Sequence, residues 1–293
     1  MRADNHMKDS SKRIKPDLSV SETVGFIIIF GITITGIAIV TLYGYPALLN
    51  AQADANIRNM ERNMIVLQSD VNALVYKSVP YKETTMQVSG GVLSIEKPDP
   101  SSSESPYFEI ADGNNQLLTA LPNQKFFPGT IHFLSDLGDV AVALENGAVV
   151  KWQIGETGRQ YKPAVMLSKP RWFIDDSGGT QTMVITLIQI DSDRELSKSG
   201  ISTVQMKIEP LLIHDPDGTP NSGDETNFFD NSPGGNKVKI TATVKDKFFR
   251  AWGNYVFLDL IKKNVPDPLP STWEIDNIDR LIIKGYKITV IGL

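Results

Sequence analysis

The hydrophobic pattern of this chain is different in its first fifty residues from everywhere else. No charged residue occurs from Val24 to Leu49. As a helix this run would measure about 39 Å, more than the roughly 30 Å hydrocarbon core of a bilayer. It also exceeds the about 7 to 15 apolar residues of a cleaved secretory signal. The pattern therefore predicts a hydrophobic helix over residues 19–49 that is able to span a membrane.

After Leu49 the apolar residues thin into a stripe with alternating spacings of three and four, which is typical of one face of a helix. The stripe comprises Ile57, Met60, Met64, Leu67, Val71 and Leu74. It predicts an amphipathic helix extension over residues 50–79, with Pro46 as the kink point. Either other copies of the chain or its own downstream domain could bury the stripe. The stripe has fewer than three and a half heptads, which makes a coiled coil marginal and favours burial by the domain.

The charges on either side of the apolar run predict its orientation. Lys8, Lys12, Arg13 and Lys15 precede the run, whereas Asp54 is the first charge after it. By the positive-inside rule, residues 1–18 form a basic cytoplasmic leader and the chain that follows the apolar run lies outside. Residues 24–293 have a net charge of −6. This negative net charge is unlike the basic surface of a nucleic-acid-binding protein, so we expect no nucleic-acid partner.

From Pro80 onward, short β-rich runs are separated by turn residues, which predicts a β-rich extracellular domain over residues 80–293. An alternative is a second domain beginning near residue 165. Asn146-Gly147 is the strongest hairpin signal, and Ser89-Gly90-Gly91 also predicts a hairpin. The last two apolar runs are separated at Lys284-Gly285. With one late helix between 246 and 263, the expected fold class is α+β, with two sheets in a sandwich-like arrangement.

Three features follow one another at the start of the chain: a basic leader, the string Ser19-Val20-Ser21-Glu22-Thr23-Val24-Gly25-Phe26, and an apolar helix that becomes amphipathic before a β-domain. This arrangement resembles archaeal type IV pilin-like proteins over residues 8–78. The resemblance implies a structural subunit or minor component of a surface filament, with the apolar helices packed together as its core. The implied partners are the membrane, copies of the chain or other pilins, and a prepilin peptidase.

Glu22 stands at the start of the apolar run, where a carboxylate is costly unless a cation meets it. The pilin resemblance implies that this cation is the freed α-amino group of a neighbouring subunit, so that Glu22 would register subunits during assembly. Alternatively, Glu22 is a helix N-terminal carboxylate that interacts with the helix dipole, with Ser19 or Ser21 as the cap.

Two groups of small residues, each with a spacing of four, lie along the same helix and would let neighbouring helices approach closely. These candidate helix-packing residues are Gly31, Thr35, Ala47, Ala51 and Ala55.

In the pilin family, the leader is cut after a small residue a few positions before the glutamate. Lys15-Pro16-Asp17-Leu18 offers no Gly or Ala at that place. Asp17, Leu18 and Ser19 form the candidate processing region, with cleavage before Leu18 or near Ser19. Without cleavage the protein would be a single-pass, membrane-anchored surface protein whose β ectodomain binds a ligand or partner.

The remaining polar residues give little indication of catalysis. The chain has no cysteine and three scattered histidines, so no His-based triad or thiolate metal site is predicted and we expect no enzyme. Asp215, Asp217 and Asp224 lie in an acidic, turn-rich loop. They offer oxygen ligands for calcium, although their spacing departs from an EF-hand loop. A solvated loop without metal is the alternative.

Overall fold

The computed structural model describes residues 17–77, 79–102, 105–116, 124–136, 139–154, 161–211, 213, 228–244 and 247–293. The chain divides into two compact units, Met1–Asp54 and Ala55–Leu293. The first unit contains the apolar helix, and the second contains the β-structure with the amphipathic stripe.

Helix α1 extends over Asp17–Ile39 and α2 over Tyr45–Tyr76, with a π-helical turn at Val40–Gly44 between them. In this turn the Tyr45 N–H donates to the Val40 carbonyl, five residues back. Pro46 explains the position, because it has no N–H and its ring would clash with the carbonyl four residues earlier. The sequence predicts a kink at Pro46, and the structure has a π-helical turn, which is wider than an α-helical turn, ending two residues before this proline.

Thirteen strands occur in the described residues. They are β1 Tyr81–Glu96, β2 Phe108–Asp112, β3 Thr130–Ser135, β4 Val140–Glu145, β5 Ala148–Ile154, β6 Tyr161–Ser168, β7 Trp172–Asp175, β8 Thr182–Ser192, β9 Ser197–Pro210, β10 Phe228–Asn231, β11 Lys237–Ala242, β12 Thr272–Asp276 and β13 Arg280–Gly292. The late helix is short: α3 extends over Phe249–Tyr255 and continues as a π-helical turn over Val256–Ile261.

Two sheets contain these strands. The large sheet has the order β6-β5-β4-β3-β1-β9-β13-β8-β7, with β10 paired to β13, and the small sheet has the order β12-β11-β2. All pairs are antiparallel except β8 and β13, which run parallel over Arg280 to Val290. This is the expected α+β architecture of a long N-terminal helix, a mainly β domain and one late helix.

The α2 stripe is buried by the chain's own domain, as the short heptad pattern predicts. Met60, Met64, Leu67, Val71 and Leu74 are all fully buried. They form one core cluster with residues of β1, β3, β4, β5, β8, β9 and β13. Because α2 contacts one face of so many strands, this stripe is part of the domain's core rather than a surface left for a coiled coil.

Polar contacts hold α2 on both sides of the stripe. Glu61 lies 2.7 Å from the Lys151 ammonium on β5, and Asp70 accepts a hydrogen bond from the Thr84 hydroxyl on β1 at 2.6 Å. The buried Gln68 amide donates to the carbonyls of Gly147 and Lys169, at 2.7 and 3.0 Å. These bonds fix the rotation of the helix, since a turned helix would lose them together with the apolar contacts.

The large sheet is strongly curved. The Asn146 side chain, in the β4–β5 turn, accepts a hydrogen bond from the Ile188 N–H of β8 at 2.8 Å. Four strands separate β4 from β8 in the sheet order, so the sheet must bend to bring them together. The bend gathers the apolar residues of one sheet face into the cluster that receives α2.

A second core cluster joins the other sheet face to the small sheet and α3. Phe108, Trp172 and Trp252 pack at its centre, with ring centroids 4.9 to 5.7 Å apart. Their polar edges are satisfied, because Trp172 Nε1 donates to the Thr186 carbonyl and Trp252 Nε1 donates to the Glu145 carboxylate. The domain therefore has a layered arrangement, with a core on either side of its main sheet.

The Asn146-Gly147 hairpin is confirmed, with φ of 46° and 73° at its two central residues. The hairpin expected at Ser89-Gly90-Gly91 is wrong, because β1 continues through these residues with a bulge between Val88 and Leu93. Gly90 has φ of 71°, and a Cβ on Gly91 would lie 2.3 Å from the Leu134 carbonyl oxygen. The glycines therefore make a bulge and a close approach to β3.

The two final runs form the single strand β13, without a break at Lys284-Gly285. A Cβ on Gly285 would lie 2.6 Å from the Ile213 side chain. The glycine here serves close packing.

Replacing Leu67 with alanine should destabilise the protein by about 2 to 5 kcal/mol, because it leaves a cavity in a fully buried site. Denaturant unfolding of the detergent-solubilised chain would measure the change. Ser69→Ala, at an exposed position of the same helix, is the control and should change stability by less than about 0.5 kcal/mol. A loss of stability that varied with protein concentration would instead assign the stripe to contacts between copies.

Burial lowers the pKa of His132, opposed by the nearby Glu96 carboxylate and assisted by the Lys247 ammonium. Because the unfolded chain binds this proton near the ordinary histidine pKa of about 6.5, His132 should destabilise the fold increasingly as pH falls below that value. His132→Gln should flatten this part of the stability profile between about pH 7 and 5, measured by thermal unfolding. An unchanged slope in the variant would rule out His132 as the titrating group.

Candidate functional site

The apolar helix is the most distinctive surface of the first unit. The helix Glu22–Tyr76 contains an 18-residue stretch with mean hydropathy of 2.4, none of it buried. It is long and apolar enough to cross a membrane by length and composition. Within this unit Phe26, Ile29, Ile32 and Leu42 are each more than two-thirds exposed. The described part of the chain leaves this surface uncovered, whereas it buries the stripe of α2.

Glu22 is exposed on α1. The helix begins by Asp17, so Glu22 lies beyond the first turn. Helix-dipole stabilisation of an anion falls off within that first turn, which leaves the dipole little part in placing a carboxylate here. Glu22 is thus an exposed carboxylate at the edge of an exposed apolar surface, where a cation from outside the chain can reach it.

Gly31 and Thr35 lie one turn apart on α1. The Thr35 hydroxyl donates to the Gly31 carbonyl at 2.7 Å, so its polar group is satisfied within the helix. A Cβ on Gly31 would have no described neighbour within 4 Å. This part of the helix therefore offers a small, open surface to which another helix could approach.

The π-helical turn changes which residues share a face of the apolar helix. In a regular α-helix, at about 100° per residue, Thr35 and Ala47 would be about 120° apart. A π-helical turn takes up one extra residue, which reduces the difference to about 20°. Gly31 and Thr35 therefore continue into Ala47 and Ala51 as one row of small residues, and those two alanines are exposed.

The other predicted site residues are less informative. Asp17, Leu18 and Ser19 lie in the first turns of α1, and their side chains are outside the description. Asp215, Asp217 and Asp224 lie outside the described residues, so the calcium hypothesis stays a prediction. Among the described residues, no group of three or more His, Cys, Asp or Glu side chains is arranged to hold a metal ion.

The second unit has a surface cavity of about 620 Å³ that the sequence analysis missed. Its walls come from the Lys169–Ile174 segment, from the end of the late helix around Asp259–Lys263, and from Ile275–Asn277. The first segment is separated from the other two by about ninety residues or more, and no motif connects them. The one local feature of this cavity that can be seen in the sequence is the Lys262-Lys263 pair after the late helix.

Residues 19–211 match a family model described as "Family of unknown function (DUF7289)". The match covers more than half of the chain. The chain belongs to this family. No curated protein and no solved structure matches the chain.

The DUF7289 match begins at Ser19 and ends just after β9. It therefore includes the apolar helix, the buried stripe of α2 and strands β1–β9. Strands β10–β13 and α3 lie beyond the matched residues. Within DUF7289 the apolar helix and the β-structure thus belong to one matched region.

The membrane-spanning capacity of α1 can be tested by adding charge. Ile32→Lys combined with Ile37→Lys should move the chain out of the membrane fraction, since each lysine at a helix centre costs about 2.5 to 3.5 kcal/mol on insertion. Fractionation with carbonate extraction would measure the effect. Ile201→Lys, at a highly exposed position of β9, is the matched control and should leave the distribution unchanged. Retention of the double variant at the control's level would contradict a spanning role.

Proposed function

We propose that the protein is a type IV pilin-like structural subunit, or a minor component, of an archaeal surface filament. In this proposal the amino terminus starts inside the cell and the β-domain lies outside. The protein would be held in the membrane by α1 before assembly and by contacts between α1 helices afterwards. Its role is structural, without catalysis.

The observation that carries the proposal is the difference between the two parts of the long helix. The stripe of α2 is buried in the domain, whereas the apolar side chains between Val24 and Leu49 are exposed. An exposed apolar surface of this size needs an external partner. Lipid and the same helix of other subunits both meet that need.

Two features favour sister helices over lipid alone. The row of small residues reduces the distance at which another helix can pack, and the π-helical turn keeps that row on one face. Glu22 adds a charge requirement, because an anion among apolar helices needs a cation partner. The freed α-amino group of a processed neighbour has the charge and the position in the chain to supply it.

The DUF7289 match also supports a helix that stays with the domain, since the matched region includes both.

The second candidate function is an unprocessed, single-pass surface anchor. The absence of Gly or Ala in Lys15-Pro16-Asp17-Leu18 favours this alternative. The two candidates differ in whether a prepilin peptidase removes the leader.

Glu22→Ala should abolish assembly of the chain into filaments and leave the fold of the β-domain intact. Electron microscopy and immunoblotting of sheared filaments would measure assembly, and thermal unfolding would check the domain. Asp54→Ala removes an exposed carboxylate beyond the other end of the apolar run and is the control. Glu22→Gln removes the charge of the side chain but keeps its size, so it shows which of the two properties assembly requires. Assembly of Glu22→Ala at the control's level would refute the registering role.

Intact-mass spectrometry of the protein from its native cells decides between the two candidates. A filament subunit should have a new amino terminus near Leu18 or Ser19. An anchor should keep residues 1–18, apart from removal of Met1. Detection of the full leader on protein recovered from filaments would contradict processing as a condition for assembly.

A further inference from the structure

The cavity of about 620 Å³ lies wholly within the second unit. Its volume is in the range of about 300 to 1,000 Å³ that ligand sites occupy. Buried apolar side chains of Trp172, Leu260 and Ile275 contribute to its lining. The Tyr255 hydroxyl, also in the lining, donates to the Trp172 carbonyl and joins the late helix to β7. Part of the wall is thus core, and the connecting segments at Lys169–Arg171, Gln181, Lys262-Lys263 and Asn277 complete it.

Two of the six described non-glycine residues with positive φ, and one of the two π-helical turns, lie in the lining of this cavity. The π-helical turn Val256–Ile261 lies in its wall and ends at Lys262, which has a left-handed conformation with φ of 58°. Asn277, in the opposite segment, has φ of 61°. Strained residues and π-helical turns occur often at functional sites. Here both Lys262 and Asn277 belong to the lining of the cavity.

The charges in the lining leave an excess of unpaired cations. Lys169 is paired with Asp259, with Nζ and Oδ1 2.5 Å apart. Asp276 lies 3.1 Å from the Lys237 ammonium, which also meets Glu274 at 2.8 Å, and Lys239 is a second cation for Glu274 at 3.8 Å. Among the described residues, Lys262 and Lys263 have no carboxylate partner.

The Arg171 guanidinium, also in the lining, stacks over the Tyr76 ring at 4.3 Å without an ion pair. Asp176 is the one lining acid without a described cation partner. Among the described lining residues, three cations without a carboxylate partner face one acid without a cation partner, an excess of positive charge on a chain whose net charge is −5. The site therefore attracts anions.

The uncharged groups in the lining suit a sugar better than a bare inorganic anion. Phe173 is 42% exposed, and an exposed aromatic ring gives an apolar surface for the face of a sugar ring. The Gln181 and Asn277 amides provide both donors and acceptors for hydroxyl groups. A phosphate or sulfate ion alone would leave most of a 620 Å³ cavity unfilled.

We propose that this cavity binds an acidic sugar, with its carboxylate at Lys262 and Lys263 and its ring against Phe173. The ligand would be a uronic acid unit of a glycan, and its place outside the cell rests on the topology of the proposed function. The site gives the β-domain a binding activity in addition to its structural role. Because only Ala55–Leu293 contributes to it, binding does not depend on leader cleavage or on filament assembly, and failure of either proposal leaves the other standing.

The test is calorimetric titration of the full-length chain in detergent with digalacturonic acid, with cellobiose as a neutral disaccharide and with inorganic phosphate. We expect binding of digalacturonic acid that weakens as salt is raised, and no binding of cellobiose. Lys262→Asn combined with Lys263→Gln should weaken binding about tenfold or more, as expected for loss of charge-assisted hydrogen bonds. Asparagine tolerates the left-handed conformation of Lys262.

Lys198→Gln removes an exposed lysine from β9, outside the cavity lining, and should leave the affinity unchanged. Phe173→Ser should also weaken binding while the thermal stability of the domain stays near that of the parent. Absence of digalacturonic acid binding, or equal binding by the double lysine variant and the Lys198 control, would overturn the proposal. Equal affinity for phosphate or for cellobiose would overturn the assignment to an acidic sugar.

Discussion

Burial of the α2 stripe in the curved sheet is the contact on which the rest of the structure depends. Five fully buried side chains along the helix fill one face of the sheet. At about 1.5 to 3 kcal/mol for each buried apolar side chain, their combined contribution is as large as the whole stability of an ordinary domain, about 5 to 15 kcal/mol. The β-structure therefore requires this helix, and the helix cannot leave the domain to form a coiled coil.

The polar contacts around the stripe give that packing its specificity. Apolar side chains alone would tolerate some rotation or sliding of a helix along a sheet. The Gln68 amide, however, bonds two backbone carbonyls from separate turns, and Glu61 and Asp70 meet partners on opposite sides of the helix. Loss of register would leave the buried Gln68 amide without partners, which is costly in a dry interior. The sequence places all three residues off the apolar stripe but does not reveal their partners.

Local patterns in the sequence predict the helices, the stripe and the Asn146-Gly147 hairpin, because each depends on neighbouring residues. The bulge in β1 also has a local signal: apolar residues change from even positions at Met86 and Val88 to odd positions at Leu93 and Ile95. A single strand can keep both pairs on one face only through a bulge. The sheet curvature and the parallel pairing of β8 with β13 depend on residues far apart in the chain. Glu22 can be selected from the sequence because its position at the start of the apolar run is a local feature. The cavity beside Lys262 cannot, because its walls come from distant parts of the chain.

A helix that is apolar all round can exchange lipid for protein without refolding. Its backbone hydrogen bonds are internal, so moving from a bilayer into a bundle of similar helices changes only the side-chain contacts. Lipid tails and leucine-like side chains are equally apolar, so close packing of small residues and polar pairing must supply the preference for the bundle. In the proposed filament, the row from Gly31 to Ala51 would supply the close packing and Glu22 the polar pairing. Pro46 would then act indirectly, because the π-helical turn before it is what aligns the two halves of that row.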